Sequence, residues 1–287
     1  MPAAPAQFFA GARGVCEPWL TRVQRSDMTQ VKAITSRDNP LLVRLRKLVA
    51  DPAGYHRSGE VWLEGEHLCS AFLQRGGAAL HAVVTQEAWQ VPAQRALASA
   101  AAQVSIVPAA LMAGISTLGS AAPMGFVVAC PVATDVRPNA PSIVLDRLQD
   151  AGNVGTILRS AAAFGLTQVL ALKGTAALWS NKVLRAGMGA HFGLHLVEGL
   201  DAGALDALRV SLLATSSHAA RAIHEVSLPW PCAWVMGHEG QGVSAALMQR
   251  CGQTLRIPQP GGEESLNVAA AAAVCFYESA RQRTASG

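Results

Sequence analysis

The sequence predicts an α/β protein built in two units, and three observations predict it. Short apolar runs of strand length alternate with helical stretches along the chain. A break at 131–141, P-V-A-T-D-V-R-P-N-A-P, interrupts that alternation with three prolines and reads as an extended linker. In the second half, three apolar runs each open into a loop rich in glycine or proline.

The 287 residues are 51% hydrophobic and 15% charged, which suits two buried cores and excludes a disordered chain. No apolar run approaches the roughly 20 residues of a membrane-spanning helix, so a soluble protein is expected. Residues 1–27 carry Pro, Ala and Gly without a secretory pattern and are expected to be a disordered tail, unless translation begins at Met28. The units are then 28–130 and 142–287.

In the first unit the pattern predicts a helix over 40–49, a strand over 61–63, a helix over 66–75 and a strand over 81–85. A helix over 93–102 and a strand over 125–130 complete it. In the second unit S-I-V-L-D at 142–146 reads as a buried strand, followed by a helix over 153–164. Further strands are expected at 168–172, 193–197, 211–215, 232–236 and 254–257. Helices are expected at 180–187, 201–209, 244–251 and 267–282, the last rich in alanine. Such alternation implies a mostly parallel sheet.

Net charge is only +4, but it is unevenly placed. Between residues 32 and 57 stand Lys32, Arg37, Arg44, Arg46, Lys47 and Arg57 against Asp38 and Asp51. That is either a solvated helix face or a nucleic-acid-binding patch. The six cysteines (Cys16, Cys69, Cys130, Cys232, Cys251, Cys275) show no C-x-x-C spacing, so no metal site is expected and reduced thiols in a cytoplasm fit best. His191 and His195, if both on a strand, would lie about 13 Å apart, too far to share a metal.

The chemistry concentrates in the three loops, because ligands of a parallel sheet bind beyond the carboxyl ends of its strands. The first, D-R-L-Q-D-A-G-N-V-G-T-I-L-R, carries Asn153 and Arg159 six residues apart, a little under two helical turns, as if serving one helix edge. Gly152 and Gly155 allow close approach at a helix start that favours anions. The second, G-H-E-G-Q-G at 237–242, has the spacing G-x-x-G-x-G rather than a dinucleotide fingerprint, which argues against an oxidoreductase. In the third, I-P-Q-P-G-G-E-E-S-L-N-V, two prolines stiffen the exit and Gly261-Gly262 permit a reversal. Ser265 and Asn267 stand at the entrance of the following helix, where either could be a cap.

In order and spacing these three segments resemble the motifs of the SpoU (TrmH-like) family of RNA ribose 2′-O-methyltransferases, in the SPOUT superfamily. N-K-V-L-R-A-G-M-G-A at 181–190 resembles a further family segment that usually has a serine at the place of Gly187. S-R-D-N-P at 36–40 and W-L-E-G-E-H-L at 62–68 resemble the family's accessory substrate-binding domain, similar to ribosomal protein L30e.

The resemblance implies a deep trefoil knot in the catalytic unit, a homodimer, and S-adenosylmethionine as methyl donor. By motif position Gly237, Ile257 and Leu266 would contact the cofactor, largely through backbone groups. Arg159 would be the catalytic arginine, donated by the partner subunit, with Asn153, Glu239, Ser265 and Asn267 positioning the ribose and supporting it. A guanidinium normally stays protonated, so Arg159 is either a demanding base or a group that holds phosphate and polarises the alcohol. Arg37, Asn39, Arg44, Arg46, Lys47 and Arg57 would contact RNA. The accessory unit favours 23S ribosomal RNA over transfer RNA; a catalytically inactive RNA-binding member is the other reading. His238 departs from the Asn or Ser common in relatives and reads as variation in the site wall.

Overall fold

A computed structural model describes residues 30–261 and 265–285. The expected tail, Met28 and Gly262 lie outside the described residues.

The first unit holds strands β1 (Gln30–Ala33), β2 (Glu60–Glu64), β3 (His81–Thr85), β4 (Gln103–Val107) and β5 (Met124–Ala129), in the order β1-β4-β3-β5-β2. β5 runs antiparallel to β2 and β3, and the other pairs are parallel. Around it lie α1 (Pro40–Ala50), α2 (Tyr55–Ser58), α3 (Glu66–Gln74), α4 (Gln86–Gln90), α5 (Pro92–Ala98) and α6 (Ala109–Ala113). Alternation along β2 sends Val61 and Leu63 into one core and Trp62 into another, so this sheet is covered on both faces.

Two strands escape the sequence reading. β1 is four residues long, and β4 occupies Q-V-S-I-V, directly behind an alanine-rich stretch whose helical propensity extended the expected helix to 102; α5 ends at Ala98.

In the second unit β6 (Ser142–Asp146), β7 (Gln168–Leu172), β8 (His195–Leu200), β9 (Ser211–Thr215), β10 (Cys232–Gly237) and β11 (Gln253–Leu255) form a wholly parallel sheet ordered β11-β9-β10-β6-β7-β8. β6, β7 and β10 are buried over their whole length, which explains their apolar runs. Helices α7 (Ala151–Phe164), α8 (Asn181–Gly187), α9 (Ala245–Met248) and α10 (Val268–Ala285) complete it.

The helix expected at 201–209 is a 3-10 turn, Ala202–Ala207, with Leu205 its one buried residue and hence no apolar stripe to hold an α-helix. The one expected at 244–251 is the single turn α9. The strand expected from 193 starts at His195, because Ala190–Gly193 forms a 3-10 turn that sets Phe192 edge-on to Phe72, 5.3 Å between ring centroids. His191 therefore lies off the strand, fully buried, its Nε2 2.9 Å from the Leu178 carbonyl oxygen.

The stretch 131–141 bridges to β8 at Ala133, turns at 138–140 and is fastened to the second sheet. The Arg137 amide donates to Gln168 Oε1 (2.7 Å), and the Arg209 amide to the Pro138 carbonyl (2.9 Å). Across the units, the Tyr55 hydroxyl reaches the Glu198 carboxylate of β8 at 2.7 and 2.8 Å.

Candidate active site

From β6 the strand order steps outward through β7 and β8, then returns on the other side to β10, β9 and β11. At such a reversal the loops leaving neighbouring strands diverge and open a crevice at the carboxyl edge. A cavity of about 460 Å³ lies there, within the size range of cofactor sites. Thr215, Ser216 and Ser217 beyond β9 form one wall, Gly237, His238 and Glu239 beyond β10 another, and Ile257, Gln259 and 265–267 a third.

The loop after β10 is closed on itself. His238 and Gly242 exchange backbone hydrogen bonds of 3.0 and 2.8 Å, and the Gly240 amide donates to His238 Nδ1 at 3.0 Å. A Cβ on Gly237 would lie 2.1 Å from the Val243 nitrogen and 2.2 Å from the Gly242 carbonyl carbon, so only glycine allows this closure. Asp146, the last residue of β6, accepts from the Ser244 amide (2.7 Å) and from Arg147 Nε (3.0 Å). Burial raises its pKa, but those donors outweigh burial and hold the carboxyl below its ordinary value.

Three side chains tie the three loops together. Asn267 Oδ1 accepts from the Ala269 and Ala270 amides, capping α10, while its Nδ2 donates to Asn153 Oδ1 at 3.0 Å. Asn153 Nδ2 donates in turn to Glu239 Oε1 at 3.3 Å. Glu239 also accepts from the Asp150 amide (3.1 Å) and the Gln149 amide (3.3 Å) at the start of α7. Burial pushes the Glu239 carboxyl up, yet its own amide, those of Asp150 and Gln149, and Asn153 together hold it below the usual value. Asn267 is thus cap and site residue at once.

Of the sequence-derived residues, Gly237, Ile257, Leu266, Glu239, Ser265 and Asn267 line the cavity, and Asn153 joins it through two hydrogen bonds. Arg159 does not share the edge of Asn153. Six residues at 100° leave the two side chains about 120° apart, and Arg159 is exposed, outside the cavity lining and without a hydrogen-bond or ionic partner among the described residues. Nor does Gly155 face a ligand: its Cβ would meet Ala186 Cβ at 2.5 Å and the Val183 carbonyl oxygen at 2.6 Å, so it sets how closely α7 rests on α8. At Gly187 a Cβ would strike His191 Cε1 at 2.6 Å, the imidazole filling the space a serine side chain would need.

The basic segment is only partly free. Asn39 caps α1 through the Leu41 amide (3.0 Å), Arg44 pairs with Glu60 (3.3 Å), Arg57 pairs with Asp51, and Arg46 donates to the Arg37 carbonyl (2.6 Å). Lys47 and the Arg37 side chain are exposed.

The sequence reading missed Thr215, Ser216 and Ser217, although small hydroxyl residues at the exit of the apolar run S-L-L-A were visible. It also missed Gln259, whose buried Oε1 has no hydrogen-bond partner among the described residues and lines the cavity. An acceptor so placed fits a ligand that brings an N–H donor, as an adenine amino group does.

The SpoU rRNA Methylase family model matches residues 140–277. A Synechocystis protein described as an uncharacterised tRNA/rRNA methyltransferase is 33% identical over 274 residues, 90% of this chain and 97% of that one. A 23S rRNA (guanosine-2′-O-)-methyltransferase of Bordetella pertussis is 38% identical over 145 residues, 49% of this chain and 59% of its own length. Among solved structures, the SpoU methyltransferase AviRb of Streptomyces viridochromogenes, in complex with AdoMet, superposes with a TM-score of 0.77 at 25% identity, over 86% of this chain and 98% of that one. The chain belongs to the SpoU rRNA methylase family.

Proposed function

We propose that the chain transfers a methyl group from S-adenosylmethionine to a ribose 2′-hydroxyl of RNA, with 23S ribosomal RNA the favoured substrate. The observation that carries this reading is the chain of hydrogen bonds from Asn267 through Asn153 to Glu239, which fastens three ligand-facing loops around one cavity. The Bordetella relative acts on 23S rRNA at a 2′-oxygen, and the Streptomyces structure holds AdoMet.

When bound, S-adenosylmethionine would supply a sulfonium-activated methyl, the C–S bond breaking as the ribose oxygen gains its C–O bond, with S-adenosylhomocysteine as leaving group and water at the open cavity taking the hydroxyl proton. Ile257 and Leu266 offer apolar wall, Gly237 lets backbone close around the site, and Gln259 Oε1 offers an acceptor to the adenine edge. Glu239 is the one carboxylate among the described residues lining the cavity. Its lowered pKa makes it a poor base and a good electrostatic anchor, holding Asn153 towards the ribose. Arg159, with its planar fork of donors, holds phosphate and polarises the alcohol.

Because Arg159 stands outside its own subunit's cavity, it serves the site of a second copy. The homodimer is supported by an apolar stretch with Leu266, Val274 and Tyr277 exposed at 40%, 39% and 55% beside a cleft along α10. The implied knot is supported by the return of the chain beyond β11 to pack α10 on α7 and under β10, where Trp234 Nε1 donates to Ser279 Oγ at 3.0 Å. We place the protein in the cytoplasm, in keeping with its resemblance to bacterial 23S rRNA methyltransferases.

Calorimetry with S-adenosylmethionine, and 2′-O-methyl mapping of ribosomal and transfer RNA from a deletion strain, test the reading. Binding together with loss of one methyl mark in 23S rRNA is expected; unchanged marks in both RNA classes would overturn it. Mixing Arg159→Ala with Asn153→Ala protein should restore activity if sites are shared between copies. Absence of any restoration would count against the shared site.

A further inference from the structure

A second cavity, of about 120 Å³, lies between the two units. Leu68 and Leu118 wall it from the first unit, Leu184 and Met188 from the second. Its volume is roughly four waters' share of the liquid, room for one planar ring system and too little for the cofactor. Met188 holds a left-handed backbone (φ +49°), one of two non-glycine residues to do so among the described residues, and is 41% exposed. That conformation is the left-handed C-cap that ends α8, its amide donating to the Leu184 and Arg185 carbonyls, and it leaves the apolar side chain at the cavity rim.

The charge beside the cavity is positive. Arg185 lines it, and Lys182 stands one turn away on the same face of α8; both are exposed and without an acidic partner among the described residues. Glu64, the carboxylate of the lining, keeps its charge but is turned to the Ser116 hydroxyl and to the amide and hydroxyl of Thr117, so the outward charge is that of Arg185 and Lys182. Ala186, on the side of α8 away from Leu184 and Met188, packs on Gly155 of α7. The wall of this cavity therefore rests directly on the helix that bears Asn153 and Arg159.

A flat ring with apolar faces attached to an anionic chain matches such a surface. We propose that this cavity takes one unpaired nucleobase of the RNA, with Arg185 and Lys182 on the adjoining phosphates. The inference rests on the RNA-methyltransferase reading and adds a base-recognition site apart from the methyl-transfer site. Burial of a base's apolar faces between leucine and methionine side chains is indifferent to sequence and strong enough to be read in affinity.

Full-length protein with S-adenosylmethionine is titrated with a short labelled oligouridylate and with an abasic strand of equal charge. The base-bearing strand is expected to bind about tenfold more tightly. Leu118→Trp, which fills the cavity from a surface loop, should remove that ratio while leaving cofactor affinity unchanged. Arg185→Ala should weaken both strands alike and flatten the salt dependence. An undiminished ratio in folded Leu118→Trp protein overturns the proposal. Should that variant not fold, ultraviolet crosslinking of a 4-thiouridine strand to the unaltered protein decides. Adducts on peptides holding Leu118 or Met188 support the site, and adducts solely elsewhere overturn it. Failure of the unaltered protein to bind S-adenosylmethionine would instead bring down the underlying reading.

Discussion

Arg159 carries its charge at an exposed helical position with no carboxylate to hold it among the described residues. Its removal therefore costs the fold little, and any large effect must come from the reaction. Arg159→Ala is expected to keep cofactor affinity and thermal stability while turnover drops on the order of 100-fold or more, the usual scale for losing a donor to a developing charge. Steady-state methylation beside calorimetry measures both, and near-normal turnover would remove Arg159 from the mechanism. Arg159→Lys keeps the charge but loses the planar fork, so it should recover only part of the rate. Gly237 makes the opposite case. A methyl group there collides with the backbone of Gly242 and Val243, which cannot yield as a side-chain tip could. Gly237→Ala must break the two His238–Gly242 hydrogen bonds, each worth about 1 kcal/mol. Calorimetry should show cofactor affinity down by more than about tenfold; an unchanged affinity would mean that the closed loop is not part of the binding site.

At the scale of elements, α7 couples the site to the core: its first turn holds Asn153, and its middle rests on α8 through Gly155. Gly155→Ala would push a methyl against the Val183 carbonyl and the Gly187 nitrogen, both backbone, so the helices must part. Overpacking of this kind costs about 1–3 kcal/mol, and the tilt of α7 should also reduce turnover through Asn153. Thermal unfolding and kinetics on the one variant test both, and a variant as stable as the parent would show that α8 yields freely. The sequence made the central strands β6, β7 and β10 legible because each is buried throughout and reads as a largely apolar run. It also made the three loops legible, because glycine and proline mark strand exits. It did not reveal β1 or β4, where a short polar-edged strand and a neighbouring alanine-rich run gave no distinct period. Nor could spacing show that Gly155 faces a helix instead of a ligand, since that depends on which way α7 is rotated, whereas the roughly 120° between Asn153 and Arg159 follows from six residues of helix alone. Ser216, Ser217 and Gln259 went unread because hydroxyl and amide residues after strands are common and only the closed crevice gives them a ligand to face.

The whole molecule depends on how the first unit is held to the catalytic one, and the contact that most resembles a latch is Tyr55 with Glu198. The carboxylate accepts the Tyr55 hydroxyl on both oxygens and the Leu178 amide at 2.7 Å. Burial raises its pKa above the ordinary 4.5, a rise that the Leu178 and Tyr55 hydrogen bonds reduce without reversing. The neighbouring titratable groups are His56 and Cys130, and Tyr55 itself is pushed up, first by burial and then by the Glu198 charge, so it stays a donor. A carboxyl whose folded pKa is raised contributes stability that is fully present below about 4.5 and is lost as pH rises through the folded value. Glu198→Gln mimics the protonated form. Relative to the parent it should therefore gain in melting temperature as pH rises from about 4 towards 7, and match it most nearly at the acid end. Tyr55→Phe should do the reverse. It leaves a buried carboxylate short of its donor and costs about 1.5–3 kcal/mol at neutral pH, where the group is charged, and less in acid. Combining the two should make the tyrosine substitution cheaper, since an amide tolerates the missing donor better than a carboxylate. Melting curves of the four proteins across that range test the latch. Offsets independent of pH, or costs that simply add, would mean that the units are held by apolar contacts such as Phe72 on Phe192 and that the buried acid is incidental.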